Sequence, residues 1–164
     1  MNSLNSADKD LILKFLIEQF KKEHRLTDQG IVKALEKYKK EILIPVSIFS
    51  KTLSTLETIV KYLKENQNLR FNSIAKILNR DQRTIWTTYK NSTKKFPGRL
   101  RDEESLFLIP ISTISNRKFS SLEAVVAYLH ENFRLNFSEI SKLLKRDQRT
   151  IWTVYSRYKT KYEK

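Results

Sequence analysis

The chain contains no cysteine, and glycine, proline and histidine are scarce, with two, three and two residues in 164. Without cysteine there is no disulfide framework, no thiol nucleophile and no thiolate metal ligand. The scarcity of glycine and proline indicates a mainly helical protein. The longest apolar run, residues 42–49, is far shorter than the roughly 20 residues of a membrane-spanning helix. We therefore expect a cytoplasmic protein with no membrane partner.

The sequence also lacks the residue patterns of common catalytic sites. Its two histidines, His24 and His130, each stand alone among residues with a helical pattern. There is no Ser-His or His-His cluster, no glycine-rich phosphate loop and no convincing pair of carboxylates. We therefore expect no enzymatic activity, no metal site and no cofactor.

Acidic residues are in the minority. The chain has 18 Asp and Glu against 32 Lys and Arg, which gives a formal net charge of +14. Its pI is about 9.9. An excess of this size favours a polyanionic partner over a neutral small molecule, and nucleic acid is the first polyanion to consider.

One stretch of eight residues, "RDQRTIWT", occurs twice, at 80–87 and at 146–153. An offset of 66 aligns residues 52–90 with 118–156, and 22 of these 39 positions are identical. An internal duplication is the economical explanation. The eight-residue stretch is unchanged, whereas other positions expected to be exposed differ between the copies.

Each copy has the pattern of three helices. Capping boxes at Ser54-Thr-Leu-Glu57 and Ser120-Ser-Leu-Glu123 precede apolar stripes with the helical spacing. A short second helix follows; Asn136 and Glu139 form a capping box for it in the later copy, whereas the earlier copy has Arg70 and a weaker start.

The third helix of each copy is predicted to begin after Asp81 or Asp147, both good N-cap residues. Only about three residues separate it from the second helix, which is typical of a trihelical helix-turn-helix unit. The sequence thus predicts an all-α protein with an N-terminal helical hairpin and two tandem helix-turn-helix domains. Their ranges are 1–43 for the hairpin, 44–92 and 106–164 for the two domains, and 93–105 for a polar linker.

The segments that flank the two domains carry weaker signals. Pro97-Gly98 interrupts the linker, which we expect to be flexible. The proline-containing segments 42–49 and 107–114 are expected to be extended and to pack on the domain that each introduces. Residues 1–43 are open to two interpretations, a decayed third copy or an ordinary helical hairpin. Since they lack the arginine-rich third helix, we expect them to serve packing or homodimerisation.

The repeated stretch supplies the candidate binding residues. In a helix-turn-helix unit the first turns of the third helix face base edges in the major groove, where Gln pairs with adenine and Arg with guanine. The predicted base-reading residues are Gln82, Arg83, Trp86, Thr87, Gln148, Arg149, Trp152 and Thr153. The predicted phosphate contacts are Lys76, Arg80, Thr84, Lys90, Lys94, Lys95, Lys142, Arg146, Thr150 and Arg157. Trp86 could instead seal the edge of the core.

The stretches "FNSIAKILNRDQRTIWTTY" and "FSEISKLLKRDQRTIWTVY" resemble helix-turn-helix units of the sigma factor region 4 type and the DNA-binding parts of resolvases and transposases. The resemblance implies a trihelical fold and binding to double-stranded DNA. Two positions depart from the pattern. The turn residue that is usually glycine is Asn79 in one copy and Lys145 in the other, and the residue after it, which is usually apolar, is Arg80 or Arg146. Polymerase-binding regions and recombinase catalytic residues are not evident, so only the DNA-binding part carries over.

We therefore expect a sequence-specific DNA-binding protein of the nucleoid, with a role in transcription regulation. Its two third helices would read directly repeated half-sites, and the linker would allow variable spacing between them. Two alternatives remain open. One is an architectural, nucleoid-associated protein that coats DNA, and the other is an adaptor that binds an acidic protein.

Overall fold

The computed structural model describes residues 6–25, 27–39, 41–101 and 103–163. Over these ranges the protein is mainly helical, as predicted, and it divides into two compact units, Met1–Glu41 and Ile42–Lys164. In chain order, the elements are α1 (Ser6–His24), α2 (Asp28–Lys39), β1 (Leu43–Pro45), a 3-10 turn (Val46–Ile48), α3 (Thr55–Glu65), α4 (Phe71–Ile77), α5 (Gln82–Lys95), β2 (Leu108–Pro110), α6 (Ile111–Ser115), α7 (Ser121–Phe133), α8 (Phe137–Leu144) and α9 (Gln148–Tyr162).

The first unit contains α1 and α2. Thr27 precedes α2, and its Oγ1 accepts a hydrogen bond from the backbone N–H of Gly30 at 3.2 Å. Helix α1 exposes apolar side chains, among them Leu11, Phe15 and Leu16, each more than half exposed. The described residues of this unit include no third helix. Homodimerisation through α1 and α2 stays a prediction.

The second unit contains two three-helix repeats, α3–α5 and α7–α9. Their first helices begin at the predicted capping boxes. The Ser54 N–H donates to Glu57 Oε2 at 2.8 Å and the Glu57 N–H donates to Ser54 Oγ at 3.3 Å. Ser120 and Glu123 repeat the pair at 2.8 and 3.2 Å. The later second helix, α8, has its predicted box, and Arg70 offers no side-chain cap to α4.

The connection between the second and third helices is the same tight turn in both repeats. Asn79 and Lys145 adopt left-handed backbone geometry with φ of 49° and 52°. Asn tolerates this region better than Lys does, yet the two turns have the same form. Asp81 and Asp147 then cap α5 and α9, as predicted.

Each repeat has a small apolar core drawn from all three of its helices. In the first, Ile59, Leu63, Ile74, Leu78 and Ile85 are fully buried. Their equivalents in the second repeat are at most 2% exposed and are Val125, Leu129, Ile140, Leu144 and Ile151. This burial holds the third helix against the first two and fixes which of its faces points outward.

The two proline-containing segments pack only in part as expected. They form the short strands β1 and β2, which pair with each other in an antiparallel sheet that joins the two repeats. Ile44 and Ile109 face each other at its centre, and both are fully buried. The prediction that each segment packs on the domain that it introduces is confirmed for β2 and α6, which contact α7, but the pairing of the two segments with each other was not expected. Burial of the two isoleucines and the ladder hydrogen bonds favour pairing across the repeats.

The predicted linker, 93–105, is tied to the repeats rather than free. Helix α5 continues to Lys95, and Leu100 is buried. The Asn66 side chain donates to the Leu100 carbonyl at 3.1 Å, and Ser105 Oγ accepts from the Val46 N–H at 3.1 Å. Residues 42–164 form one compact unit. These contacts hold parts of the segment for which the sequence predicts a flexible linker.

Each capping glutamate also binds a lysine near the end of the third helix. Lys95 Nζ lies 2.7 Å from Glu57, and Lys161 Nζ lies 2.7 Å from Glu123. Burial raises the pKa of both carboxyls, but hydrogen bonds from the lysine and the capping serine outweigh it. The pKa values of Glu57 and Glu123 therefore lie below the ordinary 4.5.

We expect these two carboxylates to make stability depend on pH. Because their pKa values are lower in the folded state, their contribution is complete above 4.5 and is lost as the pH falls through the lowered values. Replacing both, Glu57→Gln with Glu123→Gln, keeps a side chain that can complete the capping box and removes the ion pair with a half-exposed lysine, so the free energy of unfolding at neutral pH should fall by about 0.5 kcal/mol per site. Urea unfolding over a series of pH values measures this. If the double variant lost stability in acid as steeply as the original chain, the interpretation would be wrong.

Candidate nucleic-acid interface

The outward face of α5 carries the four residues predicted to read bases in the first repeat. Gln82, Arg83, Trp86 and Thr87 are all exposed, and together they line one shallow surface depression. Trp86 is 48% exposed, so it does not seal the core. The ammonium group of Lys90 lies 4.9 Å from the centre of its ring, within the range of a cation–π contact.

The outward face of α9 presents the same residues with one difference. Gln148, Arg149 and Trp152 are exposed, and Trp152 is 58% exposed. Thr153 is half-buried, and its hydroxyl donates to the Arg149 carbonyl at 2.8 Å. The two faces therefore offer the same Gln, Arg and Trp side chains to a partner.

The N-caps hold the first turns of both helices in place. Asp81 Oδ1 accepts from the backbone N–H groups of Arg83 and Thr84 at 2.8 and 3.3 Å. Asp147 caps α9 in the same way, at 2.8 and 3.4 Å. Because the caps use only backbone N–H groups, the side chains of the first turn remain available. The side chains of Gln82 and Arg83 make no hydrogen bond or ion pair within the part of the chain that the structure describes.

Most of the predicted phosphate contacts lie at the surface. The exposed ones are Lys76, Thr84, Lys90, Lys94, Lys95, Lys142, Thr150 and Arg157. Lys95 differs from the others because its ammonium group is paired with Glu57. That pairing offsets its charge and gives it a structural role that the sequence interpretation did not include.

Arg80 and Arg146, at the start of each repeated stretch, reach across to the opposite repeat. Arg80 donates to Ser121 Oγ at 3.3 Å. Arg146 donates to the carbonyls of Leu53 and Lys51. Both arginines are half-buried. Their predicted binding to phosphate stays a prediction, and the structure shows that both join the repeats.

A cleft of about 730 Å³ opens between the two repeats, beside the starts of α5 and α9. The N-terminal ends of α3 and α7 form part of its wall. Its basic lining residues are Lys51, Arg80, Lys95, Arg117, Lys118, Arg146 and Lys161. Burial, together with the nearby charge of Arg117, lowers the pKa of Arg80 below its ordinary value. The cleft therefore concentrates positive charge on the surface between the two candidate reading helices.

Sequence reasoning missed Lys51, Arg117 and Lys118 as candidate contacts. A signal was present, since Lys51 and Arg117 occupy equivalent positions three residues before the capping serine in the two copies. Their proximity could not be inferred, because it depends on how the repeats pack against each other.

The residues shared by the two copies of the repeated stretch fall into two groups. Arg80, Asp81 and Ile85, with their equivalents, are explained by the contact between repeats, the cap and the core. Gln82, Arg83, Thr84, Trp86 and Thr87, with their equivalents, gain nothing comparable from the fold. Apart from the contact of Trp86 with Lys90 and the hydrogen bond of Thr153 with the Arg149 carbonyl, no side-chain contact among the described residues accounts for the identity of these outward positions.

Comparison with known proteins gives no independent indication of function: no protein-family model, curated protein or solved structure matches the chain. Among the described residues, no group of three or more His, Cys, Asp or Glu is placed to hold a metal ion. The described helices also include none with the length and apolar character needed to cross a membrane.

Proposed function

We propose that this chain binds double-stranded DNA in a sequence-dependent manner. The repeats α3–α5 and α7–α9 act as two helix-turn-helix units, and α5 and α9 enter the major groove. The observation that carries the proposal is the matched pair of outward faces, on which the same Gln, Arg and Trp are exposed in both repeats. An α-helix fits the major groove of B-form DNA, where Gln and Arg can each form paired hydrogen bonds with a base.

The charge distribution supports DNA over an acidic protein as the partner. The exposed lysines of α4, α5 and α8 flank the outward faces, and the basic cleft lies between the repeats. The DNA backbone is a continuous row of phosphates, so cations spread over a wide surface suit it. An adaptor for an acidic protein would not need the same Gln-Arg pair presented twice.

Two roles on DNA fit these features, transcription regulation and architectural coating. Identical base-reading side chains favour regulation, since a protein that only coats DNA needs cations rather than base contacts. The net charge of +14 favours coating. Footprinting on genomic fragments separates them. Discrete protected sites are expected for a regulator, and diffuse protection at all positions would show that coating is the role.

The intrinsic fluorescence of the protein should report DNA binding directly. Trp86 and Trp152 are the only tryptophans in the sequence, and both are about half exposed on the outward faces. Duplex DNA should therefore shift or quench the tryptophan emission in a saturable manner. In Trp86→Phe the remaining signal from Trp152 should respond in the same way. An emission spectrum unchanged by DNA that demonstrably binds would place both faces away from the duplex.

A further inference from the structure

The sheet that joins the repeats has the symmetry of a twofold rotation. Leu-Ile-Pro occurs in both strands, at 43–45 and at 108–110, and the register pairs Ile44 with its own equivalent, Ile109. Leu43 pairs with Pro110, and Pro45 pairs with Leu108. Two identical strands that pair at equivalent residues are related by a rotation of 180°. The rotation axis passes between Ile44 and Ile109.

Backbone hydrogen bonds beside the sheet repeat the same reciprocity. The Val46 N–H donates to the Phe107 carbonyl at 3.0 Å, and the Ile111 N–H donates to the Ile42 carbonyl at 3.0 Å. Ile42 and Phe107 are equivalent positions, and so are Val46 and Ile111. Each repeat therefore makes the same contact with the other repeat that the other makes with it.

Contacts between whole elements follow the same rule. The equivalent helices α3 and α7 contact each other. Helix α4 contacts α6, and its equivalent α8 contacts the 3-10 turn over 46–48, which is the equivalent of α6. Arg80 and Arg146 each reach from one repeat to the N-terminal end of the other repeat's first helix.

These reciprocal contacts determine how the two outward faces are related. In an isologous contact the same surface is used on both sides, and only a twofold rotation produces it. Two units that read direct repeats would be related by a translation. A translation brings two different surfaces of the units together. The helices α5 and α9 are therefore related as in a twofold dimer, although one chain carries both.

We infer that this chain recognises an inverted repeat, a site whose two half-sites are related by the twofold axis of the DNA, at one fixed spacing. The inference rests on the proposed function and replaces the direct repeats with variable spacing expected from the sequence. The symmetry of a protein with two reading helices is mirrored in its site. The spacing is fixed because residues 42–164 form one compact unit.

The position of the basic cleft agrees with this arrangement. Equivalent residues from both repeats line it, Lys51 with Arg117 and Arg80 with Arg146. The local twofold axis therefore passes through the cleft, and the starts of α5 and α9 lie beside it. A duplex whose own dyad coincides with this axis would bring its backbone to the basic residues that line the cleft.

Selection of bound duplexes from a random pool, with the full chain, tests the inference. We expect the enriched sequence to match its own reverse complement, with one preferred spacing. Reversing one half-site in the selected duplex should weaken binding at least about tenfold, because the second unit then loses its linked contact. Changing the spacing by about half a helical turn, roughly 5 base pairs, should have a similar effect. In Arg149→Ala, where only one intact reading face remains, the preference for orientation should largely disappear.

The outcomes separate the inference from the proposed function. Enrichment of direct repeats, or equal affinity for inverted and direct arrangements, would overturn the inferred symmetry while leaving DNA binding in place. If no duplex sequence were enriched, and Arg83→Ala with Arg149→Ala did not change affinity for DNA, the proposed function would fail and the inference with it.

Discussion

Replacing both outward arginines, Arg83→Ala with Arg149→Ala, is expected to lower the affinity for the selected duplex at least about 30-fold. A bidentate contact between Arg and guanine is worth about 1–3 kcal/mol of discrimination, and the double variant removes two of them. The fold should be retained, since Asp81 and Asp147 cap through backbone N–H groups that alanine keeps. Affinity is measured by fluorescence anisotropy of labelled duplexes at constant salt concentration.

The chain supplies matched controls for this variant. Arg99 and Arg101 are exposed and flank Leu100, whose carbonyl binds Asn66 at the C-terminal end of α3. Replacing these two by alanine removes the same charge without altering either outward face. We expect these two substitutions to change the affinity for DNA little and to leave sequence preference unchanged. The single variants R83A and R149A should lose similar amounts of affinity, because the two faces are equivalent. An equal loss of affinity in the R99A/R101A control would mean that net charge alone explains the effect of the outward arginines.

Removing two cleft cations, Lys51→Ala with Arg117→Ala, is expected to act on salt dependence instead. If each contacts one phosphate, the slope of log affinity against log salt should become less steep by about 1.8, since each neutralised phosphate contributes about 0.9. Preference between the selected site and its mutants should be unchanged, because phosphate contacts carry no base information. Titrations at several salt concentrations measure both quantities.

The contrast between the two double variants is more informative than either alone. The outward-face variant should lose sequence preference, whereas the cleft variant should keep it and show a less steep salt dependence. The backbone carbonyl of Lys51, which accepts from Arg146, is retained in the alanine variant. An unchanged salt slope in Lys51→Ala with Arg117→Ala would mean that the cleft does not face the DNA backbone.

Much of each repeat could be predicted because its signals are local. A capping box links residues three apart, so Ser54 and Glu57 reveal the start of α3 without knowledge of the tertiary structure. The helical spacing of apolar residues marks the core in the same way, and Ile85 is buried as expected. The outward placement of Gln82 and Arg83 follows from these two facts, because a capped helix with one buried face has a determined opposite face.

The relation between the repeats could not be predicted, because it depends on contacts between distant residues. Nothing in either Leu-Ile-Pro segment indicates that its partner is the other copy, 65 residues away. The role of Arg80 in joining the repeats follows from that pairing, as does the cleft that brings Lys51 near Arg117. Half-sites in direct repeat suit two units related by a translation, whereas the contacts between these repeats are those of a rotation.

Chemical protection of guanine N7 on the selected duplex tests the central claim most directly. This atom lies in the major groove, where the outward arginines are proposed to bind. We expect two protected regions related by the DNA dyad, both lost in Arg83→Ala with Arg149→Ala and both kept in the R99A/R101A control. Two results would contradict binding of the outward arginines in the major groove. One is guanine N7 atoms that are as reactive in bound DNA as in free DNA, and the other is protection that is unchanged in Arg83→Ala with Arg149→Ala.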